Sequence, residues 1–170
     1  MSSDQAKAHT HEIDFRYEPL PADRERVRRL VAATSFFRDD EVAVAVELVE
    51  ERLAKGPASG YEFVFADVDG AVAGYACYGP IACTVWSYDL FWIAVDPAYQ
   101  GHGLGRALIA ESERLIRDAG GRRIYIETSG KPLYVSTRGF YERCGYVFDV
   151  EIAEFYGPGD SKVVYVKELA

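Results

Sequence analysis

Cysteine is scarce in this sequence: only Cys77, Cys83 and Cys144 carry a thiol among 170 residues. An odd count without metal-ligand spacing excludes a disulfide framework and a zinc ribbon; the three read as reduced residues, two of them in or near strands. Histidine is as rare, and His9 and His11 stand in a polar N-terminal stretch where a solvated side chain is the simplest reading. No metal site is expected. No apolar run is long enough to span a bilayer, and Met1-Ser2-Ser3-Asp4-Gln5-Ala6-Lys7 lacks the apolar core of a signal peptide. The expected location is the cytoplasm, with no membrane partner. Basic charge is also short. Nineteen Lys and Arg against 27 Asp and Glu leave a net charge of −8 and a sequence pI of about 4.9. Nucleic acid would be repelled over most of such a surface, so it is not an expected partner. A cationic amine would be attracted, although the same charge also serves solubility.

What the chain does have is apolar content, 49% of its residues, enough for one domain with a buried core. Its most informative stretch starts with Leu90-Phe91-Trp92-Ile93-Ala94-Val95, which has the length and aromatic and β-branched content of a buried strand. Asp96-Pro97 stops it, since proline cannot donate to a sheet ladder. Then Gln100-Gly101-His102-Gly103-Leu104-Gly105-Arg106 runs straight into a helical pattern. Glycine permits positive φ and leaves the backbone open to a ligand, and the first N–H groups of a helix lack internal partners. Such a turn is an anion site, most naturally one for phosphates; the alternative is a tight connection that binds nothing. The loop lacks the lysine of a Walker motif, and its glycines are one residue too tight for a dinucleotide fingerprint.

These residues resemble the Gln/Arg-x-x-Gly-x-Gly/Ala motif of the GNAT N-acetyltransferases, with Gln100, Gly103 and Gly105 in register. Ile93-Ala94-Val95-Asp96-Pro97 and Phe140-Tyr141-Glu142-Arg143-Cys144-Gly145-Tyr146 fit the same family.

Periodicity supplies the elements around this stretch. Residues 1–11 carry no pattern and read as a disordered arm, leaving 12–170 as one domain. A strand is expected over 13–17, a helix from Pro21 to Thr34 and a second helix from Asp39 to Leu53. Ser35-Phe36-Phe37 joins the two helices; the resemblance implies that this segment helps to form the acceptor pocket, and the alternative is a hydrophobic clasp between the helices. Strands follow at 61–66 and 71–78 around an Asp69-Gly70 turn, with Gly74 a close-packing position and Gly79-Pro80 a break. A fourth strand lies within 83–95, best at 87–95, before a helix over 104–119. On that helix Leu104, Leu108, Ile109, Leu115, Ile116 and Ala119 share one side, and Arg106, Glu113, Arg114 and Arg117 the other. A strand over 123–127, a loop over 129–132, a helix from Ser136 or Thr137 to Cys144, and strands over 146–155 and 161–166 complete the chain.

The order β-α-α-β-β-β-α-β-α-β-β is an α+β layout. The resemblance implies the GNAT fold, a central mixed, mostly antiparallel sheet of about seven strands with helices on both faces. It further implies an acyltransferase that moves an acetyl group from acetyl-CoA to a primary amine of a small molecule or peptide, by direct attack in a ternary complex. Main-chain groups of Ile93, Ala94 and Val95 would take the pantetheine arm as an added strand. Gln100, Gly101, His102, Gly103, Leu104, Gly105 and Arg106 would take the pyrophosphate. The family often has a cofactor-contacting asparagine seven residues before the tyrosine of its last motif. That position is Tyr134 here, so the contact passes to Tyr134, Arg138 or Ser136.

Tyr141 is the candidate acid for the departing thiolate, since a phenol keeps its proton at neutral pH; the alternative is a tyrosine packed on the late strands. Asp89 matches the family's catalytic carboxylate, with Glu127 second and an ordered water third. Either carboxylate could instead recognise a cationic substrate. Cys144 at a helix C-terminus is a poor covalent nucleophile, because thiolates are favoured at N-termini. The rival readings are a non-catalytic acyl-CoA-binding regulator of the same fold and a nucleotide-binding module. The acceptor pocket is expected from residues 30–60 and the strand joint at 156–161, and a homodimer through the late strands stays open.

Overall fold

The computed structural model describes residues 12–170, so the expected arm over 1–11, with His9 and His11, lies outside the described residues. Seven strands and four helices appear in the expected order: β1 (Ile13–Arg16), α1 (Asp23–Ala33), α2 (Asp39–Lys55), β2 (Glu62–Val68), β3 (Ala71–Pro80), β4 (Ser87–Val95), α3 (Leu104–Asp118), β5 (Arg123–Ser129), α4 (Val135–Arg143), β6 (Val147–Gly157) and β7 (Asp160–Glu168). They form one sheet in the order β1-β2-β3-β4-β5-β7-β6. Every neighbouring pair is antiparallel except β4 and β5. Those two are joined through α3, and a helical crossover returns the chain in the same direction. Among the described residues no helix is long and apolar enough to cross a membrane.

Alternation along the strands sends side chains to two cores. Phe63, Phe65, Tyr75 and Cys77 face α1 and α2, where they meet Val27, Val31, Val46 and Val49. Val64, Ala66, Ala76, Ile124, Ile126 and Tyr165 face α3 and α4, where they meet Leu108, Ile116 and Tyr141. The central strands are therefore covered on both faces, whereas β6 is exposed from Val147 to Tyr156. Gly74 fits the close approach expected of it, since a Cβ there would stand 3.0 Å from the Ala94 carbonyl oxygen and 3.1 Å from Leu108.

Four expectations need correction. Gly79-Pro80 does not break β3, because both residues stay paired with β4 opposite Asp89 and Tyr88. Ser129 belongs to β5 rather than a loop, paired with Lys162. The last helix begins at Val135, after a single 3₁₀ turn over Pro132–Tyr134, with no side-chain cap from Ser136 or Thr137. Glu113, placed on the polar side of α3 by its charge, is buried at 8% exposure. Lys167 from β7 reaches both its carboxylate oxygens at 2.8 Å, which neutralises the charge.

Candidate active site

β4 and β5 stay together for only three residue pairs, Ser87, Tyr88 and Asp89 opposite Arg123, Ile124 and Tyr125. Beyond them β4 follows β3 to Val95 and β5 follows β7 to Ser129, so the sheet parts into a wedge. An irregularity in β4 contributes. Cys77 pairs with Trp92 and Tyr78 with Leu90, which leaves Phe91 as an extra residue. The bulge also flips the faces: Leu90 joins the α3 and α4 side while Trp92, two residues on, packs on the α1 and α2 side. Past the last parallel pair, the edge of β4 carrying Ile93, Ala94 and Val95 has, among the described residues, no strand bonded to it on the β5 side. The Val95 carbonyl already accepts a bond from the Gln100 side-chain amide at 3.1 Å.

The glycine loop closes the wide end of the wedge. The Asp96 main-chain N–H donates to the Ala73 carbonyl at 2.8 Å, and its carboxylate accepts the Ala98 N–H at 2.8 Å. Gly101 and Gly103 have φ of 79° and 85°, a region where a side chain is strained. A Cβ at either position would find open space, so the backbone is bare to whatever approaches. Gly103 is the N-cap of α3 and no side chain caps the helix. The first bond inside the helix is from Ala107 to the Gly103 carbonyl, 3.0 Å, which leaves the N–H groups of Leu104, Gly105 and Arg106 pointing out of its positive end. Gly105 serves packing instead, since a Cβ there would press on the Phe140 ring at 3.2 Å. Gln100, His102 and Arg106 are on the surface of this loop, with Gln100 committed to Val95.

Across the wedge, α4 carries Tyr141, 6% exposed, with ring centroids of Phe140 at 5.5 Å and of Tyr146 and Tyr165 at 6.3 Å. Burial raises its phenol well above the ordinary tyrosine range, so it holds its proton throughout the physiological range. Tyr134 and Arg138 are occupied by the protein itself. The Tyr134 hydroxyl donates to the Phe36 carbonyl at 3.0 Å, and one Arg138 nitrogen donates to the carbonyls of Ser129 at 2.7 Å and Lys131 at 3.1 Å. Phe36 and Phe37 therefore do more than clasp α1 to α2. Phe36 packs on Tyr134 at 5.8 Å and Phe37 on Trp92 at 4.8 Å, which draws the helix connection over the wedge.

At the narrow end Asp89 and Glu127 share a cavity of about 360 Å³ with Ile81, Thr84, Ser87, Tyr125 and Val164. Burial, and next the negative charge of Glu127, push the Asp89 carboxyl up to about 6, while Lys162 pulls the other way. Lys162 pairs with Glu127 at 2.7 Å and lies 3.6 Å over the Phe155 ring. Tyr156 is pushed up to about 12 by burial first and then by Glu127, Asp160 and Glu41. Thr84, Ser87, Lys162 and Tyr156 were not singled out as site residues. Only Tyr156 fell inside a stretch marked for the pocket, and Lys162 is one more polar residue in an alternating strand. Among the described residues no group of three or more His, Cys, Asp or Glu is placed to hold a metal ion.

The sequence model of the Acetyltransferase (GNAT) family matches residues 23–146. A GNAT-family protein of Desulfovibrio desulfuricans, known from its crystal structure, is 50% identical and has a TM-score of 0.92, covering 94% of this chain and 100% of that one. N-alpha-acetyltransferase RimI of Mycobacterium tuberculosis is 39% identical over 66 residues, 38% of this chain and 40% of that protein. The chain spans less than half the length of the curated relatives it matches. The PaiA N-acetyltransferase of Thermoplasma acidophilum, crystallised with coenzyme A, shares the fold at 15% identity and a TM-score of 0.74, over 93% of this chain and 99% of that one.

Proposed function

The chain belongs to the GNAT acetyltransferase family, and on that premise we propose that it moves an acetyl group from acetyl-CoA to a primary amine by direct attack in a ternary complex. The parting of β4 from β5 after three residue pairs carries this reading. An unpaired strand edge suits an extended amide-bearing arm, and the bare, uncapped start of α3 at its wide end suits a pyrophosphate. Ile93, Ala94 and Val95 hold the arm, and the loop from Gly101 to Arg106 holds the phosphates. Acetyl-CoA, when bound, supplies an activated thioester carbonyl.

The rest is proton management by this chain. An alkyl ammonium has no lone pair until it loses a proton, and its pKa is about 10.4. Asp89 at the apex takes that proton, directly or through a water; its carboxyl, raised to about 6, stays mostly ionised at neutral pH yet binds a proton better than an ordinary aspartate. Glu127, tied to Lys162, keeps the cavity negative and favours a cationic acceptor. Tyr141 holds the proton that the departing thiolate needs. The acceptor is a small molecule or peptide amine.

A panel of diamines, aminoglycosides, amino acids and peptide N-termini, incubated with enzyme and acetyl-CoA, tests this through the coenzyme A thiol released. Amine-dependent release above the slow hydrolytic background supports the reading. Binding of acetyl-CoA without release for any amine favours the non-catalytic regulator.

A further inference from the structure

α1 and α2 cover only part of their side of the sheet. The strand residues in that core come from β2, β3 and β4, and none comes from β5, β7 or β6. On the uncovered part Val147, Val150 and Ile152 of β6 are 64%, 43% and 44% exposed. Strand register shows what this face is continuous with. Asp89 stands opposite Tyr125, Tyr125 opposite Val166, and Val166 opposite Val147. Residues opposite one another in a ladder share a face. A row therefore leaves the Asp89 carboxylate and crosses three strand spacings, about 14 Å. A second row runs beside it from Glu127 through Val164 to Val150. The acceptor cavity takes Tyr125 and Val164 from these rows as its lining, so cavity and open face are one surface.

The chemistry of that surface narrows what can lie on it. Cations at its ends are neutralised by the protein itself, Arg123 by Glu168 at 2.5 Å and Lys162 by Glu127 at 2.7 Å. Between them the rows offer valine methyls and a tyrosine ring. The main-chain groups of β7 are spent on β5 and β6. A peptide laid across them would leave its amides unpaired, whereas a hydrocarbon needs no partner. A second copy of this chain fits poorly as well. β6 carries Asp149, Glu151 and Glu154 and no Lys or Arg, so pairing it with itself would gather acids on a molecule of net charge −8. An ammonium with an apolar tail suits both ends of the surface, Asp89 and Glu127 for the cation and the valine rows for the tail.

We propose that the acceptor is a small amphipathic amine, a primary amine on an unbranched hydrocarbon chain, and that Val147, Val150, Val164 and Val166 select it by burying that chain. The inference rests on the acetyl-transfer reading of the wedge and names the substrate class which that reading leaves open.

Initial rates with butylamine, hexylamine and octylamine, set against spermidine, test it through the coenzyme A thiol released. Burial of each added methylene predicts about a threefold gain in kcat/KM, carried by KM, with spermidine below octylamine. Val150→Ser should cut the octylamine-to-butylamine ratio several-fold. Phe148→Ser should keep that ratio, since Phe148 stands opposite Tyr165 on the other face. Both side chains are exposed, so neither variant opens the core. Rates indifferent to chain length, or highest with spermidine, overturn the apolar track and leave the acetyl-transfer reading intact. So does an equal loss of the ratio in the two variants, and so does a dimer of the unaltered protein, seen by light scattering, that Val150→Ser dissociates. Release with diamines, aminoglycosides or amino acids but with none of the alkylamines has the same meaning. No release with any amine overturns both readings.

Discussion

Asp89 and Tyr125 are the last residues to face each other across the parallel join of β4 and β5. One step further the strands are apart, so this carboxylate sits where the wedge closes. Side-chain alternation turns Asp89, Tyr125 and Glu127 to the same face, away from Leu90, Ile124 and Ile126. The chemistry assigned to Asp89 follows from that place.

Asp89→Asn should lower turnover by about a hundredfold or more and remove the acid limb of the pH–rate profile, expected near 6. Stability should move the other way. A carboxyl raised above its unfolded value binds its proton more tightly in the folded state. Its ionisation therefore costs stability as pH rises from about 4 to about 6. Relief of that cost, discounted for partial exposure, is of the order of 1 kcal/mol at pH 7.5. Melting and rate curves on the same variant check both halves. An asparagine variant that keeps the acid limb removes Asp89 as the base.

Glu127→Gln should displace the acid limb to lower pH, because the carboxylate of Glu127 is the second cause of the raised Asp89 value. Lys162→Met should displace it upwards, since Lys162 opposes that rise. Opposite displacements in the two rate profiles are the expected outcome. An unmoved limb in both would mean that another group titrates.

Tyr141→Phe keeps the ring contacts with Tyr146 and Tyr165 and deletes only the hydroxyl. Turnover should fall about a hundredfold with acetyl-CoA affinity retained. Turnover equal to that of the unaltered protein would leave Tyr141 as packing.

Gly103→Ala puts a side chain at φ of 85° with no neighbour within 4 Å. The strain costs roughly 1–2 kcal/mol, and acetyl-CoA affinity should drop at least tenfold as the Cβ meets the ligand. Gly105→Ala separates the two effects. It presses on Phe140 and should lose stability through packing first. Paired melting and titration curves distinguish them.

Local features were the legible ones. A strand, a proline stop and alternate glycines specify the loop within 17 residues, Leu90 to Arg106, because each acts on its own backbone. Asp89 and Glu127 were readable as strand carboxylates. What stayed hidden depends on distant partners. Glu113 looked solvent-facing until Lys167 met it, and Tyr134 looked available until Phe36, far back in the chain, took its hydroxyl. Arg138 was spent on carbonyls of the β5 exit, which no side-chain pattern announces. Periodicity reports which face of an element is apolar, not which residue arrives there from another element.

Thermal unfolding of the purified protein with acetyl-CoA, ATP or NAD at matched concentration tests the central claim most directly. At a hundred times its dissociation constant a ligand stabilises by about 2.7 kcal/mol, a shift of several degrees. Stabilisation by acetyl-CoA, with ATP and NAD leaving the curve in place, is the predicted result. A curve that acetyl-CoA does not move, or that ATP or NAD moves further, would contradict the assignment of the wedge and its glycine loop to acetyl-CoA.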